Sequence, residues 1–345
     1  MQYQTTKLNQ SFTLESGYTF SELTLSYHSY GTLNADRSNV VWVCHAFSAN
    51  SNVDEWWPGA LGPGKILDTD TKFIICVNIP GSCYGSTGPL SINPETGKPY
   101  FHQFPLFTVR DVVNAFILLA DLLKIDKIET ILGGSLGGQQ ALEWAIMQPA
   151  RIENLIITAT NAFHSAWGIS FNESQRMAIR ADQTWKEDQE NAGIEGMKAA
   201  RSIGLLSYRN YQTYANTQTD EVLETLPEKW KAVGYQQYQG EKLALRFNAF
   251  SYYALSETMD SHHVGRGRNG ITEALGQIKA RTLVIGILTD HLFPIEEQQF
   301  LASHIKGAVY EEINSTYGHD GFLVEVALIG NVMKRFYEMS LVANR

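Results

Sequence analysis

The sequence predicts an α/β fold in which a mostly parallel sheet is covered by helices on both faces. Short apolar runs, of the kind found in strands that are buried on both faces, recur along the chain. Helical patterns lie between several of these runs, as they do where helices connect parallel strands. A glycine-rich segment at residues 133–138, Gly-Gly-Ser-Leu-Gly-Gly, joins one such run to a helical pattern.

Eight strands are expected. Residues 12–30 alternate in residue type around Gly17, which predicts an antiparallel pair at one edge of the sheet. Six further runs predict parallel strands, the last of them more weakly than the others. They are Val40–Cys44, Phe73–Val77, residues 128–132, Ile152–Thr158, residues 282–288 and Val309–Ile313.

Three helices beside these strands have recognisable patterns. The helix predicted at residues 108–123 has Thr108 as its cap, with Asp111 three positions later in the place of a capping-box acid. A second helix is expected at residues 139–147 and a third at Ile295–His304.

One long segment interrupts the alternation. Residues 163–276 contain no convincing core strand but many helical stretches rich in Trp, Tyr, Gln and Arg. An independent helical domain is one interpretation. Because the chain afterwards returns to the sheet, we favour a lid packed over the carboxyl edge of the sheet. The expected organisation is a core formed by residues 1–162 and 277–345, with a helical lid at 163–276.

Composition and charge narrow the function class. The 345 residues are 44% hydrophobic and 18% charged, which is typical of a globular protein. The formal charge of -9 argues against nucleic acid or an anionic membrane as a partner, since both require a basic face. We find no signal peptide behind Met1 and no apolar stretch long enough to span a bilayer, so a cytoplasmic protein is expected.

Cysteine and histidine spacing predicts no metal centre. Cys44 and Cys76 lie in apolar runs, where a thiol behaves as a small hydrophobe. No C-x-x-C pair joins them or Cys83, which argues against a disulfide framework and a cysteine zinc site. The histidines show no ligand spacing with nearby carboxylates beyond the catalytic set described next.

Ser135 is the predicted nucleophile. A serine flanked by glycines, with a strand before it and a helix after it, is typical of a nucleophile elbow. The turn is so sharp that side chains at the flanking positions would collide, which explains the glycines. The following helix directs its free N–H groups and its dipole towards the serine, and both favour negative charge there.

The predicted partners of this serine are Asp290 and His319. A serine hydroxyl becomes a nucleophile only when a base takes its proton. After an elbow serine, an acid and then a histidine follow in loops behind later strands. Asp290 follows the run at residues 282–288, and His319 follows Val309–Ile313, in that order.

Other histidines and acids compete for these roles. Asp260, His262 and His263 cluster inside the expected lid, before the seventh strand, and His291 belongs to the loop of the acid. His45, at the end of an apolar strand, is interpreted as a structural histidine near the site rather than as a direct participant.

The negative oxygen that develops during acyl transfer needs two fixed donors. One is expected to be the backbone N–H of Leu136, directly after the nucleophile. The other is expected in the loop after the strand Val40–Cys44, where Phe47 N–H is our choice. Only the position of these two residues, and not their side chains, identifies them.

From about residue 27 to residue 325 the chain resembles the homoserine O-acetyltransferase family of α/β-hydrolase-fold acyltransferases. The elbow is shared with many esterases, whereas the lid and glycine-loop segments are more specific to the family. The segments that carry the resemblance are residues 45–48, 56–59, 62–65, 85–89, 91–94, 133–138, 172–176, 206–209, 264–268 and 317–323.

This resemblance implies a two-step transfer. Ser135 would attack the thioester of acetyl-CoA, with His319 as general base and Asp290 holding the imidazole. The acyl-serine would then meet the γ-hydroxyl of homoserine and form O-acetyl-homoserine, an intermediate on the way to methionine. Acetyl-CoA is a co-substrate in this scheme, and no permanently bound cofactor is implied.

The resemblance also implies a grip on the amino-acid acceptor. Arg201 would pair with its carboxylate, because a guanidinium offers two parallel donors. Tyr208 is a weaker candidate for the same pocket, and Asp320 would bind the ammonium group. Three other lid arginines could serve the acceptor or the CoA phosphates, and the sequence does not rank them: Arg209, Arg246 and Arg266.

Some positions depart from the family pattern. Phe47, Ser48 and Ala49 stand where leucine, threonine and glycine are expected, and the bulkier phenylalanine would narrow the acyl pocket. Leu136 replaces a methionine, which conserves volume. His263 and Asn248 stand at positions where aspartate is frequent. These departures concern the choice of acyl donor and details of the lid.

Several alternatives stay open. A lid-covered esterase would use the same three residues with water as acceptor. A homoserine succinyltransferase or a serine acyltransferase would keep the fold and change one substrate, and a pocket without a spare cation would favour acetyl over succinyl. A catalytically inactive relative is disfavoured by the complete set of three residues. The aromatic-rich lid suggests a homodimer surface, or aromatic packing on the core.

Overall fold

A computed structural model describes residues 1–8, 10–222 and 226–343, with side chains to residue 339. Eight strands form one sheet in the order β1-β2-β4-β3-β5-β6-β7-β8. Strand β2 is antiparallel to both its neighbours, and strands β3 to β8 are parallel to one another. The strands are β1 Gln2–Leu8, β2 Leu23–Tyr30, β3 Val40–Cys44, β4 Phe73–Val77, β5 Ile128–Gly134, β6 Ile152–Thr158, β7 Arg281–Ile287 and β8 Val309–Ile313.

Helices occupy both faces of the sheet and the segment between β6 and β7. The helices are α1 Val53–Trp56, α2 Val109–Leu122, α3 Leu136–Met147, α4 Ala166–Arg180, α5 Ile194–Tyr208, α6 Tyr211–Gln218, α7 Lys231–Ala244, α8 Ala249–Asp260, α9 Ile271–Leu275, α10 Ile295–His304, α11 Gly321–Val324 and α12 Val326–Ala343. Helices α4 to α9 all fall between β6 and β7, where the lid is predicted, although residues 223–225 of that segment lie outside the described residues.

The central strands divide the core into two apolar clusters. All five residues of β3 are buried, so its side chains pack on both faces of the sheet. Trp42 points to the face covered by α2 and α3, where its ring meets Trp144 edge-on at 4.8 Å. Val41 and Val43 belong to the opposite cluster, with α12. Each such side chain contributes on the order of 2 kcal/mol by leaving water.

The strand ends meet where the site was expected. Cys44 at the end of β3 is paired with Gly133 in β5, and Gly134 is paired with Thr158 at the end of β6. The loops after β3, β5 and β6 therefore leave the same edge of the sheet side by side. This register brings the expected oxyanion loop next to the elbow.

Most predicted elements are found with small shifts at their ends. The capping box of α2 is present, with the Thr108 side chain accepting from Asp111 N–H and the Asp111 carboxylate accepting from Thr108 N–H. The helix expected at residues 139–147 begins earlier, at Leu136, directly after Ser135. Among the described residues, no helix is long and apolar enough to cross a membrane.

The edge of the sheet corrects one expectation. An antiparallel pair does form that edge, but its two strands are β1 and β2, so β1 lies outside the predicted residues 12–30. Within 12–30, only Phe12–Thr13 and Thr19–Phe20 pair with each other, in a separate small ribbon. Six of the seven residues of β1 are not buried, and its sequence, Gln-Tyr-Gln-Thr-Thr-Lys-Leu, is mostly polar. The strand therefore lacks the apolar alternation by which a half-buried strand is predicted.

Candidate active site

Ser135 occupies a strained turn between β5 and α3. Its backbone has φ 55° and ψ -127°, a conformation that an L-residue adopts at a cost of roughly 1–3 kcal/mol. Two hydrogen bonds hold it there: Ser135 N–H donates to Thr158 O at 3.1 Å, and Thr160 Oγ1 donates to Ser135 O at 2.9 Å. The strand β6 and the loop behind it thus fix the predicted nucleophile, which has the geometry of an elbow.

The glycine before the elbow allows strand and helix to approach closely. A Cβ on Gly133 would lie 2.4 Å from the backbone of Gly137 in the first turn of α3, a distance that real Cβ atoms do not show. The predicted reason for the glycine-rich segment is therefore the observed one: no side chain fits between β5 and the helix that leaves it.

Asp290 and His319 form a buried pair. Nδ1 of His319 lies 2.6 Å from Oδ2 of Asp290, and the other carboxylate oxygen accepts from the N–H groups of Leu292 and Phe293 at 2.8 and 2.9 Å. Burial by itself would lower the pKa of His319, but the nearby carboxylates, Asp290 foremost and then Asp320 and Glu297, together raise it more, and the pKa lies above the ordinary 6.5. The structure thus brings these two residues together as the sequence predicted.

Aromatic rings surround the His319 imidazole. Phe293 stacks on it, with ring centroids 5.0 Å apart and planes 22° apart, and Phe322 meets it edge-on at 5.3 Å. The ring of Tyr208 lies 6.0 Å away. These contacts restrict rotation of the imidazole and leave the edge that carries Nε2 for proton transfer.

Ser135 and His319 face one cavity of about 280 Å³. The structure gives no direct hydrogen bond between the Ser135 hydroxyl and the imidazole among the residues it describes. Such contacts are often long or poorly aligned without substrate and tighten when a substrate fills the site. The predicted substrate residues Arg201, Tyr208 and Asp320 line the same cavity.

The expected oxyanion donors are placed beside the nucleophile. Phe47 lines the cavity with Ser135, and Leu136 follows Ser135 in the chain. In the described part of the chain, neither backbone N–H donates to a protein acceptor. The Phe47 ring packs edge-on against Tyr252 at 4.8 Å, so part of its bulk is turned into the lid rather than into the acyl pocket.

His45 anchors the loop in which an oxyanion donor is expected. Its Nδ1 lies 2.9 Å from Ala46 O, which fixes the proton on Nδ1, and its Nε2 accepts from Ile79 N–H at 3.1 Å. Gln140 Nε2 donates to His45 O at 3.2 Å and ties this loop to α3. Burial lowers the pKa of His45 to about 4, so the ring is neutral. The contacts agree with the structural interpretation of this histidine.

Arg201 and Asp320 both lie on the cavity wall, but their contacts with neighbouring side chains differ. The Arg201 guanidinium lies 5.5 Å from the centre of the Tyr208 ring, and its buried Nε has no hydrogen-bond partner among the described residues. Asp320 Oδ2 lies 3.1 Å from Nε of Arg209. Burial raises the pKa of Asp320, and the neighbouring guanidinium groups of Arg209 and Arg201 oppose that rise.

The structure ranks the remaining lid arginines. Arg246 lines the cavity and donates to Ser48 O at 2.7 Å and to Tyr84 Oη. Arg266 lies elsewhere and pairs with Glu15 at 2.6 Å. Sequence reasoning missed Lys242, which also lines the cavity. Its spacing of four residues from Arg246, around the end of α7, was the available signal.

The other lid histidines and the lid acid that were considered for catalysis contact partners away from the cavity. Asp260 pairs with Arg176 at 2.7 Å, and His262 Nε2 donates to Asn161 O at 2.9 Å. The ring of His263 lies against Phe163, with centroids 5.8 Å apart. None of these lid residues lines the cavity with Ser135. Within the described ranges, no group of three His, Cys, Asp or Glu side chains is placed to hold a metal ion.

Comparison with known proteins identifies the fold and the family of the chain. The family model for the alpha/beta hydrolase fold matches residues 39–326. A homoserine O-acetyltransferase from Cyclobacterium marinum is 48% identical over 95% of this chain and 93% of its own length. The chain belongs to the homoserine O-acetyltransferase family. It is accordingly an enzyme of that family, built on the α/β-hydrolase fold.

Solved structures agree with the family assignment and add one contrast. The homoserine O-acetyltransferase from Bacillus anthracis superimposes with a TM-score of 0.89 at 28% identity, over 98% of both chains. Esterase E22 superimposes with a TM-score of 0.88 at 26% identity, over 97% of this chain and 99% of that one. The fold of this chain is therefore also similar to that of an esterase.

Proposed function

We propose that this enzyme moves an acetyl group from acetyl-CoA to the γ-hydroxyl of L-homoserine through an acyl-Ser135 intermediate. The observation that carries the proposal is a single cavity that holds Ser135, the His319 end of the buried Asp290 pair, and a cationic wall. Relatives that are 37–48% identical over nearly the whole chain bear the name homoserine O-acetyltransferase.

The first step forms the acyl-enzyme. Ser135 Oγ attacks the thioester carbon while its proton passes to Nε2 of His319. The Asp290 carboxylate stabilises the imidazolium that results. The carbonyl oxygen becomes negative and is stabilised by the N–H groups of Leu136 and Phe47. The carbon–sulfur bond then breaks, and the proton on His319 goes to the departing thiolate of CoA.

The second step regenerates the serine. Arg201 holds the homoserine carboxylate, and Asp320 holds its ammonium group, so that the γ-hydroxyl faces the acyl carbon. His319 takes the hydroxyl proton as the new ester bond forms. The bond between the acyl carbon and Ser135 Oγ breaks, and the proton returns to Ser135. Tyr208 supports this arrangement, because its ring lies 5.5 Å from the Arg201 guanidinium and 6.0 Å from the His319 ring.

The cations of the cavity support an anionic donor. Arg201, Arg209, Lys242 and Arg246 line the wall, whereas Asp320 is the carboxylate among the lining residues, in a protein whose formal charge is -9. Lys242 and Arg246 are exposed and belong to the mouth, where the phosphates of CoA would lie.

The positions of these cations also indicate whether the transferred acyl group is acetyl or succinyl. A succinyl group would bring its second carboxylate close to Ser135, deep in the cavity. The inner cations have other partners there: Arg209 lies beside Asp320, and Arg201 is assigned to the acceptor carboxylate. Because the spare charge lies at the exposed mouth, the arrangement favours acetyl over succinyl.

Hydrolysis is the second candidate function. The similarity of the fold to esterase E22 favours it, since both reactions share the acyl-enzyme. A transferase consumes acetyl-CoA only when the acceptor is present. An esterase consumes it at the same rate with and without homoserine.

Steady-state assays test the proposal. Acetyl-CoA and succinyl-CoA are each paired with L-homoserine and L-serine, and thiol release is measured together with the acylated product. We expect the acetyl-CoA and homoserine pair to give the highest kcat/KM. Equal thiol release in the absence of any amino acid would leave the esterase function instead.

The proposal extends to the state of the protein in the cell. We place it in the cytoplasm, as a homodimer formed through the lid, with no permanently bound cofactor and no nucleic-acid or membrane partner. Several large apolar lid side chains are exposed, among them Leu206, Tyr211, Tyr238 and Leu245. Other lid aromatics, such as Tyr252, pack inward instead. Sedimentation equilibrium of the purified protein tests the dimer.

A further inference from the structure

A second acidic side chain lies behind the Asp290–His319 pair and has no part in the mechanism above. Glu297 stands in the first turn of α10, the helix that follows the Asp290 loop. Its Oε2 accepts from Asn161 Nδ2 at 3.0 Å, and the Ser165 hydroxyl faces the same carboxylate. Neutral donors thus hold this half-buried acid, and no cation among the described residues pairs with it.

Asn161 connects Glu297 to the nucleophile elbow. Its Oδ1 accepts from Gln139 Nε2 at 3.0 Å, and the backbone N–H of Gln139 donates to Ser135 O at 3.1 Å. The backbone O of Asn161 accepts from His262 Nε2 in the lid. Gln139, Asn161 and His262 are all buried, so this network replaces water. A chain of hydrogen bonds therefore runs from Glu297 to the turn that presents Ser135.

Glu297 also interacts electrostatically with the catalytic base. Burial raises the pKa of Glu297 to about 7, and the Asp290 charge adds to the rise, whereas Asn161, Ser165 and His319 oppose it. In the other direction, the negative charge of Glu297 contributes to raising the pKa of His319. The charged groups that face Glu297 are therefore Asp290 and His319, while the loop after β6 and the start of α4 present neutral donors.

We propose that Glu297 is a positioning residue for the acyl transfer proposed above: its carboxylate anchors Asn161 beside the elbow, and its negative charge stabilises the imidazolium form of His319. The inference depends on the proposed function only because it takes Ser135, Asp290 and His319 as the catalytic residues. It assigns a second acid to the site, one that acts on the base without touching substrate.

The test is the pH dependence of Ser135 acylation. Glu297→Gln keeps the size of the side chain and its acceptor oxygen but removes the charge. Glu296→Gln is the matched control, because it removes an exposed charge from the same turn of α10. Acylation is followed by release of p-nitrophenolate from p-nitrophenyl acetate, which needs neither CoA nor homoserine. Failure of the proposed function would appear separately, as absent acetyl transfer to homoserine.

The expected result is a shift in the acidic part of the profile of acylation rate against pH. Because Glu297 has a pKa of about 7, it carries only part of its charge on the acid side of the profile, so the midpoint for Glu297→Gln moves to lower pH by roughly 0.3–0.5 unit, while Glu296→Gln stays with the wild type. Glu297→Asp, which restores the charge, moves the midpoint back. Coincident profiles for the wild type, Glu297→Gln and Glu296→Gln, all with intact thermal unfolding, would overturn the proposal. If Glu297→Gln does not fold, Asn161→Ala, which breaks the link between Glu297 and Gln139, is measured instead, and a wild-type rate with an unmoved midpoint in that variant overturns the proposal.

Discussion

Gly137 packs so closely against the carbonyl oxygen of Cys44 that a Cβ on Gly137 would lie only 2.1 Å from it. The contact joins the first turn of α3 to the end of β3, and it holds the expected oxyanion loop against the elbow. Because the atom in the way is backbone, it cannot turn aside as a flexible side chain would. The glycine is therefore required by the packing of the site as a whole.

Replacing this glycine is expected to destabilise the fold. Gly137→Ala forces α3 away from β3 and should cost about 2–3 kcal/mol of unfolding free energy or more. Gly234→Ala is the control, since no atom lies within 4 Å of the Cβ it would add to helix α7. There we expect a gain of about 0.5–1 kcal/mol, because alanine favours helix. Urea unfolding measures both, and equal stabilities would contradict the packing argument.

The sequence carried enough information for the fold and for the placement of Ser135, Asp290 and His319, for physical reasons. Strands buried on both faces are continuously apolar, as in Val40–Cys44, and an elbow needs glycine around its serine. Asp290 and His319 could be placed because each follows a strand whose end faces the same sheet edge. The edge strand β1 escaped prediction because an exposed strand carries no apolar pattern.

Contacts between distant segments could not be predicted. The pairing of Arg209 with Asp320, the position of Lys242 on the cavity wall and the hydrogen bond from Asn161 to Glu297 depend on how the lid and α10 pack. A charged side chain in a helix has the same local sequence whether it faces solvent or a cavity. Only the assembled fold distinguishes these cases.

The pH dependence of the reaction should report the Asp290–His319 pair. A general base works only when neutral, so the rate falls as pH decreases through the pKa of His319, which lies above 6.5. Asp290→Asn removes the charge that raises this pKa, so the acid midpoint moves to lower pH. It also disturbs the tautomer, and kcat should fall by about 10⁴-fold.

Profiles of kcat/KM between about pH 5 and 9 measure both effects. Asp126→Asn serves as control, because Asp126 is an exposed acid just before β5, at the opposite edge of the sheet. An acid midpoint that stays in place when Asp290 loses its charge would show that another group is the base.

Arg201 should determine the affinity for the acceptor. Arg201→Gln leaves the homoserine carboxylate without its two donors, and KM for homoserine should rise by about 10–100-fold. Acylation by p-nitrophenyl acetate should stay near the wild-type rate, because it needs no amino acid. Lys198→Gln, one turn earlier in α5, removes a charge that pairs with Glu195 and Glu241 and should change neither value. Equal losses in both reactions would assign Arg201 to the fold instead.

Lys242 should act on the donor, because it is an exposed cation at the mouth of the cavity. Lys242→Gln removes attraction for the CoA phosphates, so KM for acetyl-CoA should rise about 3- to 10-fold at low salt. At about 0.5 M salt the difference should largely vanish, because the charges are then screened. Lys231→Gln, at the other end of α7, controls for net charge. If the two variants show the same salt dependence, the effect comes from the overall charge of the protein, and the mouth has no particular role in binding the donor.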